Sequence, residues 1–262
     1  MPAELLSGFL RHDRAVVLAG LVAVITLSWA YLLLGAGIEM EMMDMGGGQI
    51  MAMLPKWTPG YAAVMFVMWT AMMVAMMLPS AAPTVRLVGA LARQRSSRHG
   101  AASVAATLFG SGYLLVWCGF SLAATLLQWG LGEAGLLSEA MALVNAILAG
   151  VVLIAAGAYQ WTPIKDACLR HCRSPAEFLV RHWCRGRLGA LFTGMRHGLF
   201  CLGCCWMLMA LLFVGGLMNL TWIAGIALLV LLEKTMPWGR WMSRLTGAFL
   251  IAWGAANVVR VI

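Results

Sequence analysis

Apolar stretches long enough to cross a bilayer follow one another along almost the whole chain, and that succession constrains the fold more than any other feature. A membrane-crossing helix needs about 20 mainly apolar residues. Seven stretches are candidates: 15–37, 61–82, 103–131, 140–158, 198–217, 221–232 with a flank to 238, and 245–259. The sixth is the weakest, because Glu233 and Lys234 arrive early and Pro237 stops the helix. The first is too long for the apolar core of a cleaved signal peptide. The chain is 62% apolar and 11% charged, against roughly 45–50% and about 25% in globular domains. That balance argues against a soluble enzyme, a secreted disulfide scaffold and a disordered regulator. The expectation is an all-α, polytopic transmembrane helix bundle of about seven spans, forming a single membrane domain over residues 1–262.

The cations orient this bundle, since Lys and Arg concentrate on the cytoplasmic side. A cytoplasmic N-terminus puts 16 of the 18 basic residues inside, leaving only Lys56 and Arg260 outside, while Glu39, Glu41, Asp44, Glu133 and Glu139 fall outside. This predicts a multi-pass membrane protein, with the lipid bilayer as its first partner. The net charge of +8 follows from that asymmetry, and no basic folded face calls for nucleic acid. The one sizeable polar insert, 160–197, lies inside. Its segment 175–191 mixes Phe178, Leu179, Trp183 and Leu188 with arginines, which suits either a helix lying in the inner interface or a solvated loop.

Sulfur is in excess: 20 methionines and 7 cysteines, with 5 histidines. Soft thiolates and thioethers select Cu(I) above other ions. Cys201, Cys204 and Cys205 stand at i, i+3 and i+4, so one helical face carries all three sulfurs. Cys168, His171 and Cys172 in the inner insert form a second set, with His182-x-Cys184 beyond it. Their spacing is not that of a zinc finger, and they suit a structural zinc or a copper relay. No cysteine falls in an outer loop, so a disulfide framework is not expected.

Methionines mark two further places. In the second stretch Met65, Met68, Met72 and Met76 form a stripe, with Met73 and Met77 beside it, and Met72 and Met76 stack thioethers one turn apart. Pro79 and Pro83 are expected to kink or end that helix near Thr84. The outer loop 38–58 holds Met40, Met42, Met43, Met45, Met51 and Met53 among Glu39, Glu41 and Asp44. It reads as a collector of Cu(I), or as an amphipathic helix or linker. Met72 or Met76 is expected to approach the Cys201–Cys205 face, with Gly194-x-x-x-Gly198 and Gly203 letting the two helices close up.

Three segments, Met72 to Pro83 (MMVAMMLPSAAP), Tyr159 to Pro175 with Cys168 and Cys172, and Arg196 to Trp206 (RHGLFCLGCCW), resemble a bacterial family of integral membrane proteins predicted to bind metal. The resemblance spans about Met65 to Lys234 and implies a polytopic protein of the bacterial inner (plasma) membrane with a metal site, but no reaction. No P-loop, dinucleotide fingerprint, H-E-x-x-H or nucleophile elbow occurs. The leading expectation is a non-enzymatic membrane protein that binds and moves or delivers a soft metal ion. Cu(I) is the first choice and zinc the second, with a protein acceptor or partner subunits to receive the ion. In this scheme Met40, Met42, Met43 and Met45 collect the ion, Met72 and Met76 pass it inward, and Cys201, Cys204 and Cys205 hold it. The alternatives are an intramembrane thiol–disulfide oxidoreductase using Cys201-x-x-Cys204, and an accessory subunit of a larger membrane complex.

Overall fold

A computed structural model of the chain describes residues 2–37, 41–44, 50–53, 57–95, 101–184 and 188–260, with the backbone alone described for 2–14, 41–44, 50–53 and 95. The body is all-α. Helix α1 (Pro2–Leu33) leads to a short antiparallel hairpin, β1 (Glu41–Asp44) and β2 (Ile50–Met53), which pairs Glu41 with Met53 and Asp44 with Ile50. Helices α2 (Pro59–Arg95) and α3 (Ala101–Glu133) follow, then α4 (Ala146–Tyr159), α5 (Pro163–Arg173) and α6 (Pro175–His182). The chain ends with α7 (Gly189–Ala210), α8 (Leu212–Gly215), α9 (Leu220–Thr235) and α10 (Gly239–Val259). The Met-rich segment expected as a collector therefore contributes a hairpin, with Met42 and Met43 on β1. Met40 and Met45 lie outside the described residues, as do the side chains of Met42 and Met43.

Every apolar stretch of the sequence coincides with a helix, but the helices differ in reach. Four are long and apolar enough to cross a membrane: Ala15–Leu33 of α1, Pro59–Gln94 of α2, Ala101–Glu133, and Gly189–Gly215 of α7 with α8. At 1.5 Å per residue the 14 residues of α4 span only about 21 Å. Helix α5 continues α4 across a 64° bend. The 16 residues of α9 reach about 24 Å.

Two expectations about local structure are corrected. Helix α2 runs through Pro79 and Pro83 to Arg95 instead of stopping near Thr84. Two hydroxyl groups reach this stretch: Ser80 Oγ and the Tyr113 phenol both donate to the Met77 carbonyl, at 2.8 and 3.2 Å. Helix α7 starts at Gly189, nine residues before the expected Gly198. The segment 175–191 is accordingly no single interfacial helix; α6 stops at His182, with Phe178 and Leu179 turned into the core.

Glycines decide which helices touch. A Cβ on Gly194 would collide with the Phe109 carbonyl, and one on Gly112 with the Leu191 carbonyl. Gly198 faces Val116 and Tyr113, and Gly203 faces Cys168. The small residues expected to bring α7 against α2 therefore dock α7 on α3 and α5. Gly150 and Gly157 of α4 meet Gly254 and Gly247 of α10, where any Cβ would fall 2.6 to 2.9 Å from the partner's glycine carbonyl. Close backbone approach of this kind is how apolar helices associate when water provides no drive. The larger of two core clusters buries Met65, Met68, Met72, Met73, Met76 and Met77, and a smaller one gathers Val85, Val88, Phe109, Phe178 and Leu179. Helices α1 and α2 run antiparallel, with Val24 beside Leu78 and Val17 beside Pro83, Arg86 and Arg93.

Candidate metal centre

The site grows from one turn of α7. Cys201, Cys204 and Cys205 share the face turned into the bundle, and none exposes more than 2% of its surface. The thiols of Cys204 and Cys205 each donate to the Cys201 carbonyl at 3.0 Å, the back-bond that small polar side chains make to the preceding turn. Around them stand groups from four other helices. Cys172 of α5 places its sulfur 4.0 Å from that of Cys204. Met77 of α2 places its thioether 3.8 Å from the Cys205 sulfur. The Tyr113 hydroxyl of α3 lies 3.0 Å from the Cys201 sulfur. Lys234 of α9 brings its ammonium 3.0 Å from the Cys201 sulfur, 3.2 Å from Ser80 Oγ and 3.8 Å from the Met77 sulfur. Four thiols and a thioether thus converge, with a buried ammonium donating into them.

A sulfur–metal bond of about 2.3 Å lets two sulfurs on one ion lie up to about 4.6 Å apart. The Cys172–Cys204 and Cys205–Met77 separations fall inside that limit. Among the described residues no three His, Cys, Asp or Glu side chains form a closed ligand set. The reason is local: the Cys204 and Cys205 thiols are turned back onto the helix, and Cys201 is engaged by Lys234 and Tyr113. A rotation about the Cys204 or Cys205 side-chain bond would free each thiol for an ion. The donor set is all sulfur, which suits a soft monovalent cation.

The geometry sorts the other sequence candidates. Met72 and Met76 are buried in the core, but Met77, on the neighbouring strip of α2, makes the sulfur contact with α7. Helices α2 and α7 meet through these side chains, and each packs extensively against α3. Cys168 sits one turn before Cys172 and packs over Gly203. His171 turns away from the thiols and stacks on Phe200, ring centroids 4.2 Å apart. All seven cysteines are free. Glu233 pairs with Lys165 at 2.7 Å, and Gln160 hydrogen-bonds both partners. The pairing arises because α5 folds back into the bundle. It fixes α5, which carries Cys172, to α9, which carries Lys234.

Farther along α2, the Gln128 amide donates to the sulfurs of Met65 and Met141 at 3.4 and 3.1 Å and accepts from Trp69 Nε1 at 2.8 Å. Sequence reasoning missed Lys234, Tyr113 and this glutamine. Their signal was a polar side chain inside an apolar run, which the spacing of sulfur alone does not weigh. His182, on α6, has its pKa pushed down by burial and by nearby Arg196.

A family model described as PpoB2, copper chaperone, matches residues 66–257. The chain belongs to that family. No curated protein and no solved structure matches it. The match to the PpoB2 copper chaperones contains every residue of the sulfur pocket, from Met77 through Cys172 and Cys205 to Lys234. The Met-rich hairpin precedes the match, so it stands outside what the family membership covers. Copper, reached first from the sulfur content, is thereby supported by a second and independent route.

Proposed function

We propose that this PpoB2 family member is a multi-pass membrane copper chaperone that holds Cu(I) in the pocket of Cys172, Cys201, Cys204, Cys205 and Met77 and hands it to a protein acceptor. The observation that carries the reading is the convergence of sulfurs from α2, α5 and α7 at separations one ion can bridge. Among the described residues no carboxylate contacts the pocket, and a sulfur-only set favours Cu(I) over harder ions, with zinc the competing guest. Met40, Met42, Met43 and Met45 would collect copper at the outer face. Met72 and Met76 would form the thioether path down α2 to Met77, and Cys168 would stand behind Cys172 as a further thiol. Thiolate holds Cu(I) more tightly than thioether, so the ordering runs downhill toward the cysteines.

The membrane setting is part of the proposal. The four long apolar helices cross the bilayer. The α4–α5 pair, α9 and α10 complete about seven passes, and the cation asymmetry puts the N-terminus in the cytoplasm of a bacterial inner membrane. A basic inner surface opposes free conduction of a cation and suits handover to an acceptor protein.

The deciding experiment loads the purified full chain with buffered Cu(I) under anaerobic conditions. The expected result is a bound equivalent with a sulfur first shell at about 2.3 Å, weakened by Cys201→Ser, Cys204→Ser and Cys205→Ser. A protein that binds no copper, or one that binds it unchanged with all three serines, refutes the reading. A reversible Cys201–Cys204 disulfide without copper binding would replace it with a thiol–disulfide oxidoreductase.

A further inference from the structure

Beside the sulfur pocket lies a second group of metal-type side chains that the thiol site does not use. His171, in the last turn of α5, and His182, at the end of α6, face each other with ring centroids 5.1 Å apart and planes at 66°. Each ring is anchored in the same way. His171 Nδ1 is 2.8 Å from the Ala167 carbonyl, and His182 Nδ1 is 3.2 Å from the Phe178 carbonyl. A carbonyl only accepts, so both Nδ1 atoms carry hydrogen, and in the neutral imidazoles both Nε2 atoms keep their lone pair. Backbone-anchored imidazole of this tautomer is the form in which histidine ligates metals, the outer hydrogen bond fixing ring direction and raising basicity.

The packing fixes the rings further. His171 lies flat on Phe200 at 4.2 Å, and His182 stacks on Phe178 at 5.2 Å. Among the described residues neither Nε2 has a hydrogen-bond partner. His171 lines an open cleft of about 420 Å³ together with Arg170, Arg173, Ser174, Glu177 and Arg181. The next residue along α5, Cys172, turns the other way and meets Cys204. One short helix thus presents an imidazole to the cleft and a thiol to the pocket.

A third imidazole stands nearby. His197 is one turn before Cys201 on α7 and 2% exposed. Its Nδ1 is buried with no hydrogen-bond partner. A buried orphan polar atom is rare and calls for an explanation. His197 packs on Phe178 at 4.9 Å, the ring that supports His182, and on Tyr113 at 5.8 Å, whose hydroxyl meets Cys201. The His197 ring thus touches the support of His182 on one side and the partner of Cys201 on the other.

We infer that His171, which lines the cleft, and His182 beside it form a second Cu(I) site, with His197 as the stepping ligand toward the sulfur pocket. This rests on the reading of the pocket as a copper site. Imidazole suits copper as a ligand, and two such nitrogens are enough for a two-coordinate Cu(I). Weaker binding at nitrogen than at thiolate makes this the place where copper is accepted or surrendered, and the sulfur pocket the place where it is kept. The ion changes ligands without changing oxidation state, so no electron donor is involved.

The test uses the full chain in detergent, titrated anaerobically with Cu(I) against a chromophoric chelator. The wild-type protein is expected to bind a tight equivalent and a weaker one. His171→Phe with His182→Phe, which keeps the ring packing, is expected to lose the weaker equivalent and retain the tight one. Its release of the tight ion to the chelator should slow at least tenfold, and His197→Phe should slow release without removing either equivalent. The variant with Cys201, Cys204 and Cys205 all changed to serine should keep the weaker equivalent, with a nitrogen-only first shell by X-ray absorption. A histidine variant that binds and releases copper as the wild type does overturns the inference, as does sulfur around the weaker ion in the serine variant. Loss of the tight equivalent from the wild-type protein would instead sink the pocket reading while leaving the histidine arm to be read on its own.

Discussion

Glu233→Gln should be among the most damaging single changes in the protein, although it is nearly isosteric and removes no candidate ligand. Glu233 and Lys165 pair at 2.7 Å, with side chains exposed to 2% and 1%. Amidation removes the charge and leaves the Lys165 ammonium with Gln160 as its remaining partner in a site closed to water. Breaking a buried ion pair from one side costs about 3–5 kcal/mol, because the surviving charge is uncompensated. For a chain of this size that corresponds to a fall of roughly 6–20 °C in melting temperature. The damage should also reach the metal site, since the pair ties α5, with Cys172, to α9, with Lys234. The assay is a thermal melt of the detergent-solubilised chain with and without Cu(I), run beside the double variant Lys165→Met with Glu233→Leu. An apolar pair of similar volume restores most of the loss if uncompensated charge is its cause. A single variant within about 1 kcal/mol of wild type, or a double variant as unstable as the single one, would refute the reasoning.

Met77→Leu should weaken Cu(I) binding by about tenfold, the worth of about 1.4 kcal/mol, while Met72→Leu and Met76→Leu should change it less; chelator competition measures all three. Lys234→Met should leave the fold standing, because an apolar side chain replaces a buried charge of similar length, and should decrease alkylation of Cys201 by a neutral membrane-permeant reagent as read by mass spectrometry, because the ammonium 3.0 Å from that sulfur favours the reactive thiolate. Gly254→Leu should separate α10 from α4, where a Cβ already falls 2.6 Å from the Gly150 carbonyl, and should lower the melting temperature more than Gly225→Leu, which meets nothing within 4 Å. Stripping copper with an excess of cyanide or bathocuproine should lower the melting temperature of loaded protein to that of the copper-free chain, since a ligand that binds only the native state stabilises it by mass action.

The i, i+3, i+4 cysteines were legible because a helix repeats every 3.6 residues and three polarizable side chains on one face need no neighbour to be noticed. The choice among the methionines was not legible. Met72, Met73, Met76 and Met77 are all buried, so α2 has no solvent or lipid face at that level from which its phase could be read. Only the helix across the gap selects Met77, and that helix belongs to a distant part of the sequence. The continuation of α2 past Pro79 was equally illegible: α3, which packs along that stretch and whose Tyr113 reaches the Met77 carbonyl, lies elsewhere in the sequence. The inner insert was misjudged because its charges were read as solvation. Lys165 and Cys172 are buried, while Arg170 remains exposed on the same short helix. Composition gives the balance of a segment, and here the sidedness of α5 carries the chemistry.

Two of the buried sulfur groups share one arrangement. Near Trp69, the Gln128 amide points both its hydrogens at the thioethers of Met65 and Met141. In the pocket, the Lys234 ammonium points at the sulfurs of Cys201 and Met77. Thioether sulfur is a weak acceptor, and burying an amide or ammonium for such partners is costly unless the polar group serves another end. A leucine or methionine would pack either position at lower cost. What the polar group contributes is a positive hydrogen lying among lone pairs that would otherwise face one another. It keeps soft ligands spaced and directed at a common point without binding them strongly. A cation that bonds covalently to sulfur displaces such a donor readily, whereas one that prefers oxygen and water gains too little from sulfur to do so. Under the proposed function, this competition would make the sulfur pocket selective for soft cations, with the nitrogen donor setting the threshold and the number of sulfurs setting the gain above it.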